Sequence, residues 1–202
     1  MRDCGCITLI DKPCEAAQQV AVKKDPLVLS LIEPTENVCI SAVERNPFNI
    51  RFIANPSEKV QLTAIEGDIS VLKYIHNSSE SMRLAAVNIN PCAITYIENP
   101  SEEIQLAAVR QDAKYIQAIQ NPTEKVKMAA VTKNGYCIEN ITTPSEQVQL
   151  AAVKNAPLAI KYIENPSEKV KTAADTDNPK NAIESAKSDL LQHMERLEQL
   201  SL

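Results

Sequence analysis

Hydrophobic and polar positions along the chain recur with a period of 22 residues. Three copies, NPSEEIQLAAVRQDAKYIQAIQ, NPTEKVKMAAVTKNGYCIENIT and TPSEQVQLAAVKNAPLAIKYIE, follow one another from Asn99 to Glu164. One alanine marks each copy, always 22 residues after the last except for a first step of 21. These alanines are Ala21, Ala42, Ala64, Ala86, Ala108, Ala130, Ala152 and Ala174. Nearly the whole chain is therefore predicted to be one repeated unit.

Each unit contains two helix-start signals. Asn99 as N-cap, Pro100 at the first helical position and Glu102 reaching back in a capping box predict a helix A of about eleven residues. A second cap, as in Asn46-Pro47, predicts a helix B of about seven or eight residues that is partly 3₁₀. Asn134 holds the same cap position, so Asn134-Gly135 predicts a helix start rather than a hairpin turn.

Neither helix is long enough to be stable alone, because isolated helices below roughly 12–15 residues are marginal in water. Helix A is apolar on nearly all sides, as expected for a helix packed between copies of itself. Helix B adds an isoleucine pair, such as Ile116 and Ile119, and the recurring alanine predicts a seam of close helix contact. The predicted fold is all-α: an elongated α-solenoid of about eight two-helix repeats that follow an N-terminal half repeat.

The period predicts one solenoid domain over residues 1–180 and a separate amphipathic helix over residues 181–202. In the last unit the core positions become polar at Thr172 and Asp175, which indicates an end to the stack. The helix that follows carries apolar residues on one side, among them Leu190 and Met194. Two roles stay open for it: a cap over the last unit, or a contact that makes a homodimer instead of a monomer.

The alternation of a longer helix with a very short one resembles the leucine-rich-repeat variant family and a compressed form of the HEAT repeats. The wording NPSE…LAAV…AI.YI also resembles repeats of uncharacterised bacterial and phage proteins. The resemblance covers Lys12 to about Pro179 and rests on architecture, so it implies a helical repeat fold and no particular activity. Some leucine-rich-repeat variant proteins carry an iron–sulfur cluster near the N-terminus, which directs attention to the cysteines.

Cys4, Cys6 and Cys14 lie close together in the sequence, and Cys39 is a distant fourth. A zinc or cluster site normally takes four ligands at regular spacing, whereas C-x-C-x7-C supplies three. Free thiols in a reducing cytoplasm are therefore the preferred interpretation, with no metal and no cofactor expected.

Composition argues against several functions. The chain holds 21 basic and 26 acidic residues, for a net charge of −5. Nucleic-acid binding usually shows a basic excess, so a nucleic-acid partner is not expected. Catalysis is not expected either, because a nucleophile needs a neighbouring base and there are only two histidines, His76 and His193. No stretch approaches the roughly 18 apolar residues of a membrane span, and MRDCGCITLI does not have the pattern of a signal peptide; a cytoplasmic protein is expected.

The candidate binding residues lie on helix B. Tyrosine and arginine dominate the energetics of protein interfaces, and stacking would align them along one wall. One register position holds Phe52, Tyr74, Tyr96 and Tyr162, and the neighbouring exposed positions hold Phe48, Arg51, Lys73, Tyr136 and Lys161. The simpler alternative is that each tyrosine lays its ring over the next helix and leaves its hydroxyl in water. A rival surface is the helix A wall, with Glu103, Gln105 and Arg110.

These patterns predict a non-catalytic solenoid that binds another protein along one wall. The resemblance suggests a bacterial or phage regulator, for instance an inhibitor that occupies a host defence nuclease. Two other classes stay open: a protein directed to nucleic acid or mimicking it, and a metal-bearing accessory subunit of an enzyme.

Overall fold

A computed structural model describes residues 7–8, 10–76, 78–176 and 187. Within this part of the chain every regular element is helical, and α-helices alternate with 3₁₀ helices. The predicted C-terminal helix over residues 181–202 falls outside the described residues except for Lys187.

Each repeat consists of one α-helix and the 3₁₀ helix of the same number that follows it. The α-helices are α1 Glu15–Lys24, α2 Glu36–Arg45, α3 Glu58–Gly67, α4 Glu80–Ile89, α5 Glu102–Gln111, α6 Glu124–Lys133, α7 Glu146–Asn155 and α8 Glu168–Thr176. The 3₁₀ helices are η1 Pro26–Ser30, η2 Pro47–Phe52, η3 Ile69–Tyr74, η4 Pro91–Tyr96, η5 Ala113–Ala118, η6 Gly135–Asn140 and η7 Pro157–Tyr162. The short helix is thus 3₁₀ throughout and has five or six residues, shorter than predicted.

The chain divides into two compact units, Met1–Ala108 (unit 1) and Val109–Leu202 (unit 2), with the boundary inside α5. In unit 1, consecutive α-helices from α1 to α4 pack side by side, and so do η1 to η4. In unit 2, α6 to α8 and η5 to η7 repeat that arrangement. This regular packing of α-helix against α-helix and of 3₁₀ helix against 3₁₀ helix confirms the all-α solenoid fold. The prediction of one domain over residues 1–180 stays a prediction.

The recurring alanine lies in the core of both units. Ala64 and Ala86 in unit 1 and Ala130 and Ala152 in unit 2 have no exposed surface. The branched residue that follows each of them is also buried, with at most 2% exposed. Interiors are close-packed, so a larger side chain at these positions would have to displace its neighbours. The predicted seam is confirmed in these four repeats, although Ala21 in α1 is only half-buried.

The predicted N-cap of the α-helices is wrong. In α3 the cap is Ser57, whose hydroxyl accepts from the Val60 N–H, and the helix begins at Glu58. An N-cap residue needs an extended backbone, whereas Asn99 has a left-handed φ of 47°. The Asn-Pro pair therefore forms the turn before the helix, and the next serine or threonine becomes the cap.

The glutamate after the cap is the first residue of its α-helix and not the third, the position that a capping box requires. At three places this glutamate joins one repeat to the next. In unit 1, Ser57 Oγ donates to Glu36 Oε1 of the preceding repeat at 2.5 Å. In unit 2, Ser167 Oγ donates to Glu146 Oε1 at 2.6 Å, and the repeat before it makes the equivalent bond. The same serine hydroxyl therefore accepts from its own helix and donates to its neighbour, which sets the register between repeats.

The proline of the motif offers its carbonyl to a glutamine side chain. Gln61 Nε2 donates to the Pro56 carbonyl at 2.9 Å, and Gln149 Nε2 does the same to Pro144 at 3.1 Å. Such bonds hold the turn against the first turns of the α-helix that follows it.

The second set of caps is confirmed. Asn46, Asp68 and Asn134 each accept, through the side chain, from the N–H two residues later. The Ser70 hydroxyl and N–H both donate to Asp68, and they hold the pKa of that carboxyl below its usual value. Since a lowered pKa favours the ionised form, this cap is intact above the usual Asp range and is lost as the pH falls through the lowered value.

Thr143→Asn should stabilise the protein by about 0.5–1 kcal/mol. Thr143 has a left-handed φ of 49°, which is strained for a β-branched residue and tolerated by asparagine. Asn99 and Asn165, at the same register position, have the same left-handed conformation, with φ of 47° and 52°. Urea unfolding should show a higher midpoint with an unchanged slope. Thr142→Asn, one residue earlier and exposed, is the control; equal midpoints for the two variants would contradict the strain argument.

Candidate functional site

The aromatic residues of this chain are concentrated on its 3₁₀ helices. The chain contains only two phenylalanines and five tyrosines, and none of the seven lies in an α-helix or a turn. They are Phe48, Phe52, Tyr74, Tyr96, Tyr115, Tyr136 and Tyr162. The 3₁₀ helices pack side by side within each unit, so each unit gathers its aromatic rings on one side. We call this side the η surface; it corresponds to the predicted helix B wall.

In unit 1 the rings of neighbouring repeats touch. Phe48 in η2 and Tyr74 in η3 meet edge to face, with centroids 6.2 Å apart and planes at 80°. The Lys73 ammonium lies 5.0 Å from the Tyr74 centroid and 6.0 Å from that of Phe48. Both distances are within the range of cation–π attraction. One lysine therefore holds two rings from consecutive repeats.

A second cation–ring pair lies on the same surface. The Arg51 guanidinium carbon is 4.6 Å from the centroid of Phe52. Arg51 is exposed and Phe52 is half-buried, so the charged group faces water while the ring packs. Tyr96 in η4 is 37% exposed.

The η surface of unit 1 extends to two leucines that sequence analysis missed. Leu27 and Leu31 in and after η1 are 51% and 64% exposed. They hold the register positions of Phe48 and Phe52, counted with the single 21-residue step. Their register positions could have identified both leucines from the sequence, but the prediction included only aromatic and basic residues. We define the η surface of unit 1 as Leu27, Leu31, Phe48, Arg51, Phe52, Lys73, Tyr74 and Tyr96.

The charge on this surface differs in sign from that of the whole chain. The four helices η1 to η4 contain two basic residues, Arg51 and Lys73, and no acidic residue. The chain as a whole carries a net charge of −5. Unit 1 therefore keeps its carboxylates off the 3₁₀ helices and presents an apolar surface with isolated positive charges.

Unit 2 builds a similar cluster. Tyr136 and Tyr162 meet edge to face with centroids 6.4 Å apart, and the Lys161 ammonium lies 4.7 Å from the Tyr162 centroid. A hydrogen bond with Tyr162 raises the pKa of Lys161, so the lysine stays protonated. Tyr136 is 42% exposed, and Leu158, which sequence analysis also missed, is 60% exposed.

One repeat of unit 2 departs from the pattern. Tyr115 takes the register position that holds Ala93 in η4, and Ala118 takes the position of Tyr96. The Lys114 ammonium lies 5.1 Å from the Tyr115 centroid and forms an ion pair with Asp112 at 2.8 Å.

The predicted site residues are thus assembled in part. The structure brings together Phe48, Lys73 and Tyr74, the pair Arg51 and Phe52, and the trio Tyr136, Lys161 and Tyr162. Phe52, Tyr74 and Tyr96 lie in unit 1 and Tyr162 lies in unit 2, so one continuous row of four stays a prediction. Phe48 and Tyr74 are only half-exposed, so the simpler alternative, in which these rings mainly pack, stays open beside binding.

The rival surface on helix A loses one of its three residues. Gln105 is 8% exposed and donates to the Pro100 carbonyl at 2.9 Å, because it holds the same register position as Gln61. Glu103 and Arg110 are exposed as predicted.

The cysteines give no metal site among the described residues. Cys4 and Cys6 lie outside them, Cys14 is exposed, and Cys39 is buried. Burial raises the pKa of the Cys39 thiol, which opposes the thiolate form that binds metals. In the described part of the chain no three His, Cys, Asp or Glu side chains are placed to hold a metal ion.

Fold and surface together define a helical repeat protein of the α-solenoid class. Searches against protein-family profiles, curated proteins and solved structures give no significant match. The resemblance to leucine-rich-repeat variant or HEAT repeats and to phage proteins therefore stays a hypothesis. Over the described residues, none of the helices has the length and apolarity to cross a membrane.

Proposed function

We propose that this chain is a non-catalytic solenoid that binds another protein through its η surface. The observation that carries the proposal is the placement of all seven aromatic residues on the 3₁₀ helices. Core packing alone does not require this, because most buried positions of both helix types are filled by alanine, valine, isoleucine and leucine.

The geometry suits binding for a further reason. Ordering a free side chain at an interface costs roughly 0.5–1.5 kcal/mol, and a side chain that is already held avoids most of that cost. Tyr74 is held by Phe48 and Lys73, and Tyr162 is held by Tyr136 and Lys161. Both residues are half-exposed, so a partner can reach them while their orientation is already held.

The proposed biological setting is the cytoplasm, where the protein acts as a bacterial or phage regulator by occupying a surface of its partner, for instance a host defence nuclease. The support for this setting is the resemblance of the repeat sequence to bacterial and phage repeats. The support for a stoichiometric inhibitor is the concentration of aromatic residues on the η surface of each unit.

The test is to capture the partner from the native host and to measure its affinity for variants. Tyr74→Ala with Tyr96→Ala should weaken binding by at least about 2 kcal/mol, or roughly 30-fold, because truncated aromatic anchors cost that much. Circular dichroism should show unchanged helicity. The matched variant on the α-helix side, Glu103→Lys with Arg110→Glu, should leave the affinity nearly unchanged. Loss of binding in that variant, with binding kept in the tyrosine variant, would refute the proposal.

A further inference from the structure

Two neighbouring clefts in unit 1 are lined in part by the η surface. The first has a volume of about 420 Å³ and is lined by residues from η2, the turn after it, α3 and the end of η3. Its polar and aromatic walls come from Arg51, Asn55, Gln61, Tyr74 and His76. The second has a volume of about 230 Å³ and lies one repeat further along. The two clefts share His76 and the buried Ile75.

The second cleft carries more basic than acidic side chains. Lys73, His76 and Arg83 line it together with Tyr96, and Glu98 is its one acidic residue. Arg83 is held in place by its Nε, which donates to Ser78 Oγ at 3.1 Å. With Arg51 in the first cleft, the two clefts bring three permanent cations to a stretch that holds one carboxylate. An anionic group is the ligand that this charge balance favours.

We propose that these two clefts bind an extended, acidic peptide segment of the partner protein. The proposal rests on the proposed function and specifies the chemistry of the partner. Packed helices lie roughly 8–10 Å apart, and three residues of an extended chain span about 9–10 Å. Side chains three residues apart can therefore enter successive clefts, while acidic side chains between them meet Arg51, Lys73 and Arg83.

A nucleic acid fits less well. It needs cations that follow its closely spaced phosphates, but η1 to η4 carry only Arg51 and Lys73 beside exposed leucines. A second copy of this chain, whose net charge is −5, is distinguished from a partner peptide by the measurement of self-association.

The experiment uses three fluorescein-labelled probes on the full chain: four repeats of Glu-Leu-Pro, four repeats of Lys-Leu-Pro, and a 12-nucleotide oligo-dT. Fluorescence anisotropy should show the acidic peptide binding at least about tenfold more tightly than either other probe. Arg51→Glu with Lys73→Glu should weaken acidic-peptide binding at least about tenfold. Lys24→Glu with Lys59→Glu changes the net charge by the same amount, at exposed positions of α1 and α3. This control variant should keep its affinity for the acidic peptide within about twofold of that of the unsubstituted protein.

Three results would overturn the inference: equal binding of the lysine peptide, tighter binding of the oligonucleotide, or acidic-peptide binding that survives Arg51→Glu with Lys73→Glu. Self-association that these substitutions abolish, measured by sedimentation, would assign the clefts to a second copy and would also overturn it. A different result would refute the proposed function: unchanged affinity of the captured partner for the variant Tyr74→Ala with Tyr96→Ala.

Discussion

Gly135→Ala should destabilise the protein by at least about 3 kcal/mol. A Cβ at this position would lie 2.3 Å from the Ala152 carbonyl oxygen and 2.9 Å from the Ala156 Cβ. The obstacle is the backbone of α7, which cannot turn aside as a flexible side chain could. The φ of Gly135 is not positive, so the glycine is required here for space and not for conformation.

Two hydrogen bonds stabilise the same contact between η6 and α7. The Gly135 N–H donates to Asn155 Oδ1 at 2.6 Å, and Asn155 Nδ2 donates to the Thr132 carbonyl at 2.9 Å. Where a proline begins the 3₁₀ helix, as at Pro47 and Pro91, no N–H exists to be satisfied. A shift of α7 away from an added methyl group would stretch these bonds, which increases the expected loss.

Urea unfolding measures the effect of Gly135→Ala as a lower midpoint. Glu139→Ala, on the exposed side of the same 3₁₀ helix, is the control and should stay within about 0.5 kcal/mol of the unsubstituted protein. Coincident midpoints for all three proteins would mean that η6 and α7 are not in close contact at this point.

Ala130→Leu should cost about 1–3 kcal/mol or more, because the added side chain must be placed in a packed core. Ala130 has no exposed surface, and Val126 and Val131 on the same helix are equally buried. The α-helix on which it lies, α6, packs against α7. Relief would require α6 to move, which would also disturb the bond between Glu124 and Ser145 at the start of these two helices.

The control for the second prediction is Thr132→Leu, which adds a leucine two residues later on the exposed side of α6. Its stability should change by less than about 0.5 kcal/mol. Thermal unfolding by circular dichroism compares the two variants directly. Equal melting temperatures would show that the alanine seam has spare volume.

Much of the fold could be predicted because the same local helix signals occur in every repeat of the sequence. Asp68 and Asn134 cap the short helices through the N–H two residues later, which depends only on neighbouring atoms. The alanine seam depends only on period, so Ala64 and Ala152 could both be assigned to the core before their neighbours were known.

The start of the long helix could not be predicted in the same way. Both Asn99 and Ser101 are good N-cap residues by composition. The choice is made by the turn, which places Asn99 in the left-handed region and leaves Ser101 Oγ to accept from the Ile104 N–H. The hydrogen bond between Ser57 and Glu36 could not be predicted from the sequence either. It joins two repeats, and their relative position follows from the packing of helices.

The candidate site shows the same division. The sequence by itself determined the helical period, the all-α class and the register that puts Phe52, Tyr74 and Tyr96 on equivalent faces of their short helices, because these properties repeat with the covalent order of residues. Only the tertiary structure decided that Phe48 meets Tyr74 under one lysine, that Gln105 is buried, and that Arg51 and His76 line one cleft. The reason is physical: such contacts depend on how far one repeat is shifted and turned against the next, and this is set by the packing of whole helices.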